Sequence, residues 1–171
     1  MSISMSSASL PVFKTMLGNL KHLLVKAQAH ADAKKFDSFV LAQFRLAPDM
    51  FPLTRQVGIA CDAAKGCASR LSGLEAPKFD DTETTLAELI ERVSKTIAWL
   101  DTVPASALDG TEAKSITFPA GKDKTRTMLG EDYLKFWAMP NVYFHITTAY
   151  AILRHNGVDV GKIDYLMGDA A

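Results

Sequence analysis

The chain has no excess of charge of either sign. Nineteen Lys and Arg stand against nineteen Asp and Glu, so the basic surface that supplies most of the affinity for a phosphate backbone is missing and no nucleic-acid partner is expected. Cysteine is scarce too. Cys61 and Cys67 are the only two; six apart on one helical segment, they are separated by ~9 Å along its axis, too far for a disulfide, and are expected to be small core residues. No run approaches the ~18 to 20 apolar residues of a membrane span. Met1 to Leu10 is Ser-rich, with no Lys or Arg before Lys14, unlike a secretory leader. The expected location is cytoplasmic, without membrane association. The Gly-rich nucleotide loops, the HExxH zinc helix, CxxC and the GxSxG nucleophile turn are all absent, which removes the reactions they signal.

What the sequence does have is apolar content in helical order. With 48% hydrophobic residues over 171 positions and a mean hydropathy of +0.05, it is far from the disordered class and fits one domain over residues 1–171. Four long segments repeat apolar residues at three and four positions, the mark of amphipathic helices. The first, about 10–34, carries Leu10, Phe13, Leu17, Leu20, Leu24, Ala27 and Ala31, with Ser9 as cap and Pro11 in the first turn. The second, about 50–71, carries Leu53, Val57, Ala60, Ala64, Cys67 and Leu71, capped by Asp49 and ended by Gly73. The third, about 82–101, has Leu86, Leu89, Ile90, Val93, Ile97 and Leu100 inside, Glu88, Glu91, Arg92 and Lys95 on its wet face, and Asp80 or Asp81 as cap. The fourth begins near Gly130, carries Pro140 as a kink or restart, and ends at Asn156-Gly157. Before it, 114–119 and 125–129 alternate around a polar turn, a hairpin signal. The expected fold is all-α: a four-helix bundle with a small β-hairpin inserted before the last long helix.

Function is sought where polar groups interrupt inward faces, because buried polar atoms need partners. The fourth helix is richest. At 100° per residue, Asn141, His145 and Thr148 fall within about 60° of one another. On the second helix, Gln56 adjoins the core residue Val57. Of the four histidines, His22 and His30 are ~12 Å apart along the first helix and His145 and His155 ~15 Å apart along the fourth, so neither pair chelates one ion.

Residues 45–53 (RLAPDMFPL), Gln56-Val57, Ala60-Cys61-Asp62 and above all 140–157 (PNVYFHITTAYAILRHNG) resemble a bacterial family of domains of unknown function. That family is similar in fold to the DinB/YfiT-like metalloenzymes, four-helix bundles that often dimerise. The resemblance implies a homodimer. It also implies a divalent-metal site built from three His, one on the second helix and two as an HxxxH pair on the last, supporting thiol transfer or hydrolysis. This chain departs from the pattern: with His145 as the first His of the pair, the second position is Ala149, and the second helix has no His. One imidazole and no thiolate make a weak transition-metal site. A degenerate site is therefore expected, a divalent metal is not favoured and the cofactor stays unassigned. What remains is a polar ligand pocket around Gln56, Tyr143, His145 and Thr148. The expected function is small-molecule binding or a structural role, with a metal-dependent thiol transferase or hydrolase as the alternative. The small-residue side of the second helix and the apolar excess of the first are the candidate dimer surfaces.

Overall fold

The computed structural model describes residues 3–170. Four long helices form the expected bundle: α1 (Met5–Lys34), α3 (Leu53–Ser72), α4 (Leu86–Thr102) and α6 (Met139–His155). Helix α3 packs on α6 and α4, and α1 on α4 and α6. The periodic stripes all turn inward; Phe13, Leu17, Leu20, Leu53, Leu71, Leu86, Leu100, Ile146 and Leu153 are fully or almost fully buried in one continuous cluster. A short helix α2 (Phe39–Gln43) bridges α1 and α3.

The helix starts differ from those expected from sequence, for one physical reason. Several short polar residues precede each apolar run, and the one that caps is the one whose side chain meets a free N–H. Helix α1 starts at Met5, not near Leu10: Ser4 and Ser7 form a reciprocal capping box, and Pro11 is carried inside. Helix α3 starts after Pro52, whose extended backbone stops the chain short of Asp49. Helix α4 starts after Thr85, where Thr85 and Glu88 cap each other. The N–H groups of Thr84 and Thr85 bonded to Glu88 push its carboxyl down to about 2. Asp81, the other candidate cap, is occupied by Arg55 and Arg92 instead.

The hairpin forms as read. Strands β1 (Ser115–Pro119) and β2 (Thr125–Leu129) pair antiparallel, with Ser115 opposite Leu129 and Pro119 opposite Thr125. Ile116 and Phe118 point into the core. The chain turns directly from β2 into α5 (Gly130–Tyr133), a π-helical turn over Leu134–Ala138, and α6. Pro140 thus sits near the start of α6 and needs no kink. The wide turn inserts the extra residue and sets Trp137 against Phe118, ring centroids 4.9 Å apart, with Tyr133 on Phe118 at 4.7 Å.

Helix α7 (Lys162–Met167) and a 3₁₀ turn over Gly168–Ala170 lie on α1; Ala171 is outside the described residues. Asp164 accepts from Gly161 N, Lys26 Nζ and His22 Nε2, while His22 Nδ1 meets Asp169 at 2.6 Å. These bonds, the Gly161 N–H foremost, hold the Asp164 carboxyl well below the usual carboxylate range. Val160 packs inward, while Ile163 and Leu166 face solvent. Among the described residues no helix is long and apolar enough to cross a membrane.

Candidate functional site

The seam between α3 and α6 brings together Gln56 and His145, which are 89 residues apart in sequence. His145 Nδ1 and Gln56 Oε1 are 2.7 Å apart, both groups buried. The roles follow from the third partner. Gln56 Nε2 donates to the Phe51 carbonyl at 3.0 Å, so the amide oxygen faces the imidazole, and a carbonyl oxygen only accepts. Nδ1 therefore carries the hydrogen and Nε2 holds the lone pair. Burial lowers the His145 pKa below its ordinary value of 6.5, which keeps the ring neutral near pH 7. Among the described residues Nε2 makes no hydrogen bond, yet it is not sealed. Among the described residues the sealed, unpartnered side-chain atom is Arg92 Nε.

Thr148 lies one turn further along the same face, and its hydroxyl donates to the Phe144 carbonyl at 2.8 Å. Tyr143 is two residues before His145 and emerges on the outer face of α6, 39% exposed; burial, with Tyr165 nearby, raises its phenol pKa. The structure thus joins Gln56 to His145, keeps Thr148 beside them, and places Tyr143 on the neighbouring surface. Ala149, where the resemblance would require a second His, is a core methyl. No group of three or more His, Cys, Asp or Glu is arranged to hold a metal ion among the described residues. An imidazole already engaged by an amide and outside any such group does not fit the ion that the resemblance implies.

Two features escape the sequence reading. Arg92, expected on the wet face of α4, is 2% exposed. Its guanidinium lies between Asp81 at 2.7 Å, Glu83 at 3.0 Å and Asp62 at 3.1 Å, over the ring of Phe79. Gly58 of α3 makes room: a Cβ there would lie 3.5 Å from the Arg92 Cζ. The second feature is a groove of about 220 Å³ between α3, the hairpin and the π turn, lined by Asp62, Arg70, Phe118, Tyr133, Trp137 and Asn141 among others. Its residues lie on five separate elements, so no local pattern announces it.

The comparisons agree with this architecture. A crystal structure described as a DinB family member from Shewanella denitrificans superposes with a TM-score of 0.85 at 45% sequence identity, covering 94% of this chain and 90% of that one. No curated protein matches. The model of a domain of unknown function, DUF1993, matches residues 5–166, from the first turn of α1 to the end of α7, and the chain belongs to that family.

Proposed function

We propose that this protein is a non-catalytic, small-molecule-binding bundle in which a hydrogen-bonding pair stands where metal-binding relatives would place ligands. The Gln56–His145 bond carries the reading. Gln56 is locked by the Phe51 carbonyl and in turn fixes the imidazole, so His145 offers a neutral acceptor at Nε2. The matching ligand presents an O–H or N–H donor, with Thr148 beside the imidazole and Tyr143 at the rim. Two measurements test this. Protein purified without a His tag should carry no stoichiometric divalent metal, and EDTA should leave its melting temperature unchanged; a stoichiometric metal that is lost in His145→Ala would instead establish the thiol-transferase or hydrolase alternative. In Gln56→Leu the buried Nδ1–H loses its acceptor, at a cost of about 1–3 kcal/mol. The ¹⁵N shifts of the ring should then move away from the Nδ1–H tautomer. An unchanged tautomer would mean that Gln56 does not orient His145.

We infer further that the protein pairs as a homodimer through the outer face of α6. Phe136, Pro140, Tyr143, Phe144 and Thr147 recur at helical spacing on that side, all exposed and none charged. The small residues of α3 are used within the chain, Gly58 against Arg92 and Gly66 against Arg70, which favours α6 over the surfaces suggested by composition. An apolar, charge-free stripe suits the centre of a two-fold interface. Sedimentation at micromolar concentration should give about twice the 18.6 kDa chain mass, and Phe144→Glu should return it to the monomer. A monomeric wild type would exclude the pairing. Both cysteines are buried and free, with thiols pushed up to about 12 by burial, which is compatible with a reducing cytoplasm as the proposed location.

A further inference from the structure

The groove between α3, the hairpin and the π turn has walls of one chemical kind and donors of another. Phe118, Tyr133 and Trp137 supply flat apolar surface. On one side stands Arg70, whose Nη1 donates to the Tyr133 hydroxyl oxygen at 3.0 Å. The guanidinium lies back over Gly66; a Cβ there would come within 2.5 Å of Nη1. Among the described residues Arg70 takes part in none of the ion pairs. Outside the lining, Arg126 of β2 lies over the Trp137 ring, 6.0 Å from its centroid, and it too has no carboxylate partner among those pairs. Asp62, the carboxylate at the groove, is already held by Arg92 and Lys65, each at 3.1 Å.

The phenol sharpens the preference. Tyr133 is 2% exposed, and its oxygen accepts from Arg70 while its own O–H finds no acceptor within the described residues. Burial pushes its pKa up to about 12, so the hydrogen stays in place at neutral pH. A guanidinium whose one bond is to a neutral phenol oxygen, beside a phenol O–H without an acceptor among the described residues, suits a carboxylate, for which the planar guanidinium fork is matched. The rings of Tyr133 and Trp137, packed on Phe118 at 4.7 and 4.9 Å, form one aromatic cluster against which a flat apolar body can lie. The volume of about 220 Å³ lies below the range of drug-sized pockets and admits roughly one ring.

We propose that this groove binds a small planar carboxylate, with its anionic end on Arg70 and the Tyr133 hydroxyl and its ring against Phe118 and Trp137. The site shares no residue with the Gln56–His145 pair, so it stands or falls independently of the function proposed above. Benzoate is the probe and benzamide its neutral counterpart. The chain has two tryptophans, and their indole N–H signals in a ¹H–¹⁵N spectrum, assigned through Trp99→Phe, report the groove and an internal control. Benzoate should shift the Trp137 signal saturably in the millimolar range and leave Trp99 in place, and benzamide should bind at least about tenfold more weakly. Arg70→Gln should remove that preference, and Tyr133→Phe, which keeps the ring, should weaken benzoate several-fold. Each variant is first checked for a wild-type far-UV spectrum and thermal transition; if Arg70→Gln does not fold, Tyr133→Phe and the benzoate-to-benzamide ratio of the unaltered protein decide. Equal affinity for the two probes, no saturable shift, or a folded Arg70→Gln that binds benzoate unchanged would each overturn the assignment.

Discussion

Arg92→Met should lower the stability of this protein by about 2–4 kcal/mol and its melting midpoint by roughly 10 °C. Methionine keeps most of the aliphatic length, so the substitution removes charge and hydrogen bonds rather than volume. Three carboxylates lose a partner. Asp81 still has Arg55 and Asp62 still has Lys65, but Glu83, whose side chain is 18% exposed, is left without a cation. Breaking a fully buried pair costs about 3–5 kcal/mol. The range is set lower here because the side chains of Asp81 and Asp62 are 38% and 44% exposed and rehydrate. The pH dependence gives the sign. Burial raises the Asp81 pKa, but the bonds from Arg92 and Arg55 outweigh it and carry the carboxyl below its ordinary value. A folded-state pKa below the unfolded value of about 3.9 contributes stability that is present above pH ~4 and lost as the pH falls through the folded value. Arg92→Met removes most of that contribution, so wild type and variant should differ most at pH 7 and converge toward pH 3. Urea denaturation at the two values measures both effects. A variant within 0.5 kcal/mol, on the order of an ordinary surface change, would show that the network contributes nothing net.

That network also marks where sequence reasoning stops. The helices were legible because Leu17, Leu20 and Leu24, or Leu86, Leu89 and Val93, repeat with the period of the backbone itself. The hairpin was legible because Ile116 and Phe118 alternate with polar neighbours. Helix starts were not, since Ser9, Asp49 and Asp81 are all competent caps and only packing selects among them. Arg92 shows the same limit more strongly. On periodicity it belongs to a solvated face, and it is buried because Gly58 of another helix leaves space and Asp62, thirty residues away, supplies charge. Half of the candidate site could be found, as Gln56 beside Val57 and His145 on a mixed face are unusual within their own helices. Their bond and the tautomer it dictates depend on the Phe51 carbonyl, which no pattern marks. The aromatic groove was hidden by the π turn: an unbroken α-helical register puts Trp137 on the side of Leu134 and Asn141, and one wide turn re-aims it at Phe118.

The junction that re-aims Trp137 rests on one glycine, and Gly130→Ala should cost about 3 kcal/mol. Gly130 is buried where β2 passes into α5, and a Cβ built on it would lie 2.1 Å from the Thr111 carbonyl oxygen and 3.1 Å from Leu71 Cδ2. Leu71 can change rotamer; the carbonyl belongs to backbone. Thr111 is fixed on both sides, its carbonyl accepting from Lys114 N at 3.0 Å, while the next carbonyl, of Glu112, accepts from Glu131 N at 3.0 Å. To admit the methyl, the 105–114 loop must separate from α5, and at least one of these bonds must lengthen. Helix α5 carries Tyr133 and leads into Trp137, so the same shift disturbs the groove, and benzoate binding should fall with stability. Gly18→Ala is the control. It is also helical, but nothing lies within 4 Å of the added Cβ, so alanine should stabilise by up to ~1 kcal/mol through its better helix propensity. Denaturant midpoints of the two variants should therefore move in opposite directions. A Gly130→Ala protein as stable as wild type would mean that the Thr111 carbonyl gives way freely, and that the packing of the loop against α5 does not hold the groove in shape.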